Sequence, residues 1–251
     1  MKREERRGIK AIEVAGRILN HLAQAQTPVA LRELAAAGRM SPGKVHRYLA
    51  SFVVTGLARQ DPATRQYALG PLAMRLGLAA LNSYQPLRVA IALQRELRDR
   101  LDETLVLSVW GAQGPTIVHI EESSQPIIMT MRIGAVLPIL ATATGLAFAS
   151  FLPRHFTEPL ITMELDAAGL NLFARDQAAI DRLITQVRDQ GYAYNEGHLM
   201  QGVSAAAFPL FDRTTALVAV LAVMGRQERI NPRDGAEMIA YLKRGTQNFG
   251  H

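Results

Sequence analysis

The chain has 251 residues, 49% of them hydrophobic and 20% charged, and it contains no cysteine. Those proportions are globular, neither disordered nor membrane-embedded, and the lack of cysteine excludes disulfides, thiolate nucleophiles and cysteine-based zinc sites. The net charge of +6 is uneven: residues 1–82 carry 13 Lys+Arg against 5 Asp+Glu, whereas 83–251 carry 15 against 17. A basic front on a near-neutral back suits a chain whose first part alone meets a polyanion, or a solvated basic face with no partner. The longest apolar run, Ala216 to Gly225, is shorter than the roughly 20 residues of a spanning helix, and the charged start Met1–Arg7 is no secretory signal. A cytoplasmic address with no membrane contact is expected.

Lys10 to Gln24 repeats apolar residues (Ile12, Ala15, Ile18, Leu19, Leu22) at helical spacing, which predicts a helix with one buried stripe. Thr27-Pro28 ends it. Val29 to Leu31 reads as a short extended piece, and Leu31 to Ala37 as a second short helix closing near Gly38. Ser41-Pro42 predicts the start of a third helix, with Ser41 as cap and Pro42 in the first helical position. In that helix Val45, Leu49 and Phe52 share one face and leave Lys44, His46 and Arg47 for the other side. Gly56 to Gln60 and Gln66 to Gly70 read as two short strands around the polar turn Asp61 to Arg65, with Arg59 and Arg65 placed to reach phosphate or minor groove. Two short helices, the second cationic at its start, insert into a major groove. A generic helical bundle accounts for the helices but not for the wing or the cations.

Pro71 to Leu81 is helical in composition but apolar almost all round, so it needs cover on several sides. Either a partner chain supplies it, or the helix belongs to the core of the first domain. Asn82 to Pro86 resets the chain and sets a boundary near 83. Pro86 to Leu101 is then an amphipathic helix with Ala90, Leu93, Leu97 and Leu101 inward. Strands follow at Thr104 to Trp110, Pro115 to Glu121, Gln125 to Arg132 and Gly134 to Leu140, and a helix at Thr144 to Leu152. Asp176 caps a helix with Ile180, Leu183, Ile184 and Val187 on one face, ended by Gly191. Val203 to Leu210 and Ala216 to Met224 return to strands, and Asn231-Pro232 opens the last helix. This order predicts an α+β domain with a central antiparallel sheet. The six histidines show no metal-ligand spacing and no catalytic motif. His119 and Glu121 would share a strand face as an acid/base pair or as edge decoration. No catalytic residue, metal or cofactor is expected, and an enzyme with an appended DNA-binding module is the alternative.

The runs Lys10 to Leu19, Val45-His46-Arg47-Tyr48-Leu49, Asp61-Pro62-Ala63-Thr64 and Tyr67-Ala68-Leu69-Gly70 resemble the IclR family of bacterial regulators across nearly the whole N-terminal third. Further on, Leu137-Pro138, Ala141, Gly145, Ala147-Phe148, Gly191-Tyr192-Ala193, Gly202-Val203, Ala219-Val220 and Gly225 fall in that family's order. The resemblance implies a winged helix-turn-helix over 1–70, a linker helix over 71–83 that supports dimerisation, and a GAF-like effector-binding domain over 84–251. It implies a repressor or activator that binds a double-stranded operator under control of a small-molecule effector, as a homodimer or a dimer of dimers. Ser41, Lys44, His46, Arg47, Arg59 and Arg65 are the expected DNA contacts. Ser41-Pro42-Gly43-Lys44 stands where many members have Pro-x-Ser-Thr, and Arg65 replaces a common wing-tip glycine at a cost in turn propensity. Carried over by position, the effector contacts are Thr142, Ala143, Thr144, Asn195, Ala205, Ala222 and Met224. Asn195 stands where an acid is frequent, and Ala222 and Met224 where serines are. Fewer donors and more apolar surface point away from glyoxylate- or pyruvate-sized effectors and toward an aromatic acid, although Ala205 and Met224 serve equally well as core packing.

Overall fold

The structure, a computed structural model, describes residues 9–25, 27–124, 131–166, 177–196, 202–232 and 235–249, which fall in two compact units, Met1–Ser83 and Tyr84–His251. The first unit runs α1 (Lys10–Gln24), α2 (Leu31–Gly38), α3 (Pro42–Thr55), β1 (Ala58–Gln60), β2 (Tyr67–Leu69) and α4 (Pro71–Ser83). Its core gathers Val14, Ile18 and Leu22 from α1, Leu34 and Ala35 from α2, and Val45, Leu49 and Phe52 from α3, closed by Ala58 and Tyr67 of the β-ribbon. The buried stripe of α1 therefore uses every fourth residue from Val14. Ile12, expected inward, lies about 200° around the helix from Val14 and is 66% exposed. Val29 exchanges both backbone hydrogen bonds with Tyr67 at 2.8 Å, but the extended piece ends there because Leu31 already opens α2.

The connector is helical as expected and runs through Ser83. Among its described side chains only Leu72 and Ala73, in the first turn, are half-buried, whereas Met74, Leu76 and Leu78 are 64%, 55% and 53% exposed. Burial in the first domain is thus not what covers this apolar helix.

The second unit is built on one antiparallel sheet of β3 (Thr104–Gly111), β4 (Gly114–Glu121), β5 (Ala193–Glu196), β6 (Val203–Phe211) and β7 (Leu217–Arg226), in the order β4-β3-β7-β6-β5. Both faces are buried, so the strands are apolar on both parities while their alternation still sorts the residues. Leu105 and Leu107 pack with Phe208, Leu221 and Val223 against α5 (Gln85–Leu101), α9 (Gln227–Ile230) and α10 (Ala236–Gln247). Val106, Ala207, Val220 and Ala222 pack against α6 (Ala143–Phe151), α7 (Arg154–Asp166) and α8 (Gln177–Gln190). This is the predicted α+β architecture with a central antiparallel sheet.

Several expectations need correction. Gly134 to Leu140 forms no strand; Gly134 adopts φ +88° and Pro138 lacks an amide proton, so the segment joins β4 irregularly, through the isolated bridge of Val136 to Thr116 and backbone hydrogen bonds of Gly134 and Ala135 with Ile117 and of Leu137 with Pro115. The strand expected at Gln125 to Arg132 and the Asp176 cap lie largely or wholly outside the described residues. Asn231 ends α9 instead of opening the last helix, which begins at Ala236 after Gly235. Helix α7 and strand β5 escape the sequence patterns. Pro159 sits inside α7 and reads as a helix breaker, and β5 is only 4 residues long.

Helix α6 is buried along its whole length from Ala143 to Ser150, and its start is crossed by the loop that precedes it. A Cβ on Gly145 would lie 2.2 Å from the Pro138 carbonyl oxygen and 2.5 Å from Ile139 Cα, backbone atoms that cannot step aside. Gly16 on α1 faces open space. In chemical denaturation, Gly145→Ala should destabilise the second unit by about 2–3 kcal/mol, whereas Gly16→Ala should stabilise the first by about 0.5–1 kcal/mol.

Candidate DNA interface and effector site

Helix α3 is seated by three residues with no exposed surface to speak of, Val45, Leu49 and Phe52. Their burial stabilises the arrangement by about 1.5–3 kcal/mol each, enough to hold a helix whose outer face is cationic. At about 100° per residue, Arg47 points directly away from that stripe, and Lys44 and His46 flank it. All three are exposed. Gly43, one turn before Arg47, opens onto free space, so the guanidinium has clear approach on that side. Ser41 occupies the N-cap position, but its hydroxyl makes no capping hydrogen bond. The Lys44 amide is already met by the Ser41 carbonyl at 3.0 Å, which leaves the hydroxyl on the surface. Arg39, in the turn between α2 and α3, takes a left-handed conformation (φ 51°) and is exposed. It adds a cation that the helical pattern did not single out.

The β-ribbon is organised by Asp61. Its Oδ1 accepts from the amides of Ala63 (2.7 Å) and Thr64 (3.1 Å), and its carbonyl accepts from the Arg65 amide at 2.9 Å. The Thr64 and Ala63 amides hold the Asp61 carboxyl below the ordinary carboxylate range. Arg65 pays for its position at the tip with φ +58°, the left-handed conformation that glycine adopts freely and other residues at a cost. Arg59 sits on β1, exposed. Among the described residues no carboxylate stands within ion-pair distance of Lys44, His46, Arg47, Arg59 or Arg65.

In the second unit the strand register places Asn195, Ala205 and Met224 side by side in one row across β5, β6 and β7, on the face that α6 covers. Ala222 stands one position further along the same face, paired with Val106 and Ala207. Thr142, Ala143 and Thr144 form the start of α6, all buried, and the Asn195 side-chain amide donates to the Ala141 carbonyl at 2.8 Å, tying that start to the row. The Thr142 hydroxyl accepts from the Gly145 amide (2.8 Å) and donates to the Pro138 carbonyl (2.7 Å), so it serves first as a helix cap. Helix geometry leaves the amides of Ala143 and Thr144 without an internal partner, and such amides attract an anion. A residue the patterns missed completes the arrangement. Glu164 of α7 accepts the amides of Ile139 (2.5 Å) and Leu140 (2.9 Å) through its two carboxylate oxygens, fixing the loop that leads into α6. Ion–dipole pairing across 25 residues leaves no local signature in a sequence.

His119 is engaged elsewhere. The Gln94 amide donates to the Leu105 carbonyl (2.7 Å), so its Oε1 accepts from His119 Nδ1 at 3.0 Å. Glu121 lies 3.8 Å from Nε2 and pairs with Arg95 at 2.9 Å. Burial pulls the His119 pKa below the usual imidazole value, against the opposing pull of Glu121. Among the described residues no three His, Asp or Glu side chains gather as metal ligands, and no helix is long and apolar enough to cross a membrane.

Two substitutions separate the roles of the cations. Arg47→Ala should weaken duplex binding about tenfold in fluorescence anisotropy with little change in stability, because the side chain supports nothing in the fold. Arg65→Gly should weaken binding less while raising the melting transition of the first unit, by relief of about 1 kcal/mol of backbone strain. Unchanged affinity in both would remove these residues from the interface.

Residues 11–62 match the IclR helix-turn-helix domain and residues 79–249 match the C-terminal domain of bacterial IclR transcriptional regulators. The chain is 29% identical over 231 residues to the glycerol operon regulatory protein of Streptomyces griseus, spanning 92% of this chain and 89% of that one. The crystal structure of Pseudomonas aeruginosa HmgR is 37% identical, covers 97% of this chain and 99% of its own, and superposes with a TM-score of 0.58. An IclR homolog from Microbacterium hydrocarbonoxydans, solved in complex with 4-hydroxybenzoate, shares the fold at 17% identity and a TM-score of 0.74, over 94% of this chain and 98% of its own. With both of its units matched in order, the chain belongs to the IclR family of DNA-binding transcriptional regulators.

Proposed function

We propose that the protein acts in the cytoplasm as a homodimer, alone or as a dimer of dimers, and that α3 and the β-ribbon hold operator DNA through Ser41, Lys44, His46, Arg47, Arg59 and Arg65. The observation that carries this reading is the exposed cation set on a helix fixed by its opposite, apolar face. Arg47 and Lys44 suit phosphate oxygens, and Arg47 has the fork geometry for guanine. The exposed Met74, Leu76 and Leu78 of α4 support dimerisation, since a second copy supplies the cover that the protomer does not. Leu76→Glu should shift the chain toward monomer in sedimentation equilibrium and lower operator affinity with it. A dimer of unchanged strength would exclude α4 from the interface.

The effector is an aromatic acid, seated with its carboxylate at the amides of Ala143 and Thr144 and its ring over Ala205, Ala222 and Met224. Thr142 and Asn195 shape the mouth. What supports this is the chemistry of the row: methyl and thioether groups beside a helix start whose Ala143 and Thr144 amides have no internal partner, a combination that suits a ring with an acid group. The 4-hydroxybenzoate held by the Microbacterium homolog is a ligand of this kind. A 100-fold change in operator affinity needs about 2.7 kcal/mol of coupling, within reach of one charged group and one buried ring. Isothermal titration tests the class: aromatic acids should bind and two- and three-carbon acids should not, and the reverse selectivity would overturn it. Glu164→Gln should weaken aromatic-acid binding several-fold without abolishing the fold, because the loop into α6 loses its anchor. On this reading His119 and Glu121 tie α5 to the sheet edge and perform no chemistry.

A further inference from the structure

The register of the sheet sorts its α6-facing side into rows. Thr104, Met224, Ala205 and Asn195 form the first, and Val106, Ala222, Ala207 and Ala193 the second. Ser108 opens the third, paired with Val220 on one side and Ile117 on the other. The second row holds three alanines, so the side chains there stand low on the sheet, while Trp110, two residues beyond Ser108 on β3, meets Phe148 of the covering helix α6 with ring centroids 5.6 Å apart. Ser108 itself is 0% exposed, and its hydroxyl has no hydrogen-bond partner among the described residues. Buried hydroxyls are paired as a rule, and an exception calls for a missing partner. Ser108 pairs with Val220, two residues before Ala222, and diagonal neighbours of this kind stand about 7–8 Å apart. That is the reach of a benzene ring carrying one polar substituent.

We propose that Ser108 is the specificity-determining residue for the effector's second polar group, selecting aromatic acids that carry a ring hydroxyl remote from the carboxylate. The inference rests on the aromatic-acid reading and deepens it. The carboxylate is held at the start of α6, the ring lies over Ala205, Ala222 and Met224 with its far edge toward Val220, and the hydroxyl exchanges a hydrogen bond with Ser108 Oγ. An unsubstituted ring leaves that hydroxyl orphaned, and a site built around a buried polar group discriminates strongly against ligands that fail to meet it.

Isothermal titration of the full chain with 4-hydroxybenzoate and benzoate tests this. The unsubstituted protein should bind 4-hydroxybenzoate at least about tenfold more tightly than benzoate. Ser108→Ala should reduce that ratio to within about twofold, chiefly by weakening 4-hydroxybenzoate, and should melt no lower than the parent without ligand, since it removes a hydroxyl that the fold does not use. Discrimination that survives in Ser108→Ala, or equal binding of the two acids by the parent, overturns the role of Ser108 while leaving the aromatic-acid reading intact. Failure of both acids to bind the parent overturns that reading, and the role of Ser108 with it.

Discussion

A helix that is to meet a polyanion must keep its cations unpaired, so something other than its own polar side chains has to hold it in place. Here that support is the apolar triad Val45, Leu49 and Phe52, locked against Ile18, Leu22 and Leu34. Hydrophobic burial consumes no charge, whereas internal ion pairs would neutralise the very groups on offer. The outer face can therefore consist of Lys44, His46 and Arg47, with no carboxylate among the described residues at ion-pair distance from them. The β-ribbon follows the same logic. Tyr67 and Ala58 close the core from beneath, Asp61 spends its acceptors on the turn amides, and Arg59 and Arg65 remain unneutralised at the edge.

The second unit solves a different problem. One sheet with both faces buried separates a side packed with large residues from a side lined with small ones. Large residues such as Phe208, Leu221 and Leu242 fill the side of α5 and α10. Opposite them, alanines on β6 and β7 keep the surface low beneath α6, and polar anchors govern where α6 begins. Thr142, Asn195 and Glu164 each hold a different part of the segment from Pro138 to Gly145. Those anchors fix the place where α6 starts relative to the row of Asn195, Ala205 and Met224.

How much of this was legible beforehand depended on how local each signal is. Helix α1 falls at Lys10–Gln24 as read, and Pro42 marks the start of α3, because periodicity and breakers act over a few residues. The same locality misled at Gly134 to Leu140, where apolar residues imitate a strand while Gly134 and Pro138 forbid regular pairing, and at α7, where Pro159 hides a helix. The stripe of α1 was set by which rotation met α2 and α3, so Val14 displaced Ile12. In the second unit the grouping of Asn195, Ala205 and Met224 came from family resemblance, since their adjacency is a matter of register between strands. Glu164 and Ser108 were invisible for a stronger reason: the importance of each lies in what surrounds it in space, a pair of amides for one and the lack of a hydrogen-bond partner among the described residues for the other.

Operator binding depends on charge offered by the first unit to duplex phosphates, and a salt titration of the full chain on DNA from its own upstream region tests that directly. With about 6 phosphates neutralised per dimer, log K should fall with log salt at a slope near −5. A slope near zero, at any affinity, would contradict it.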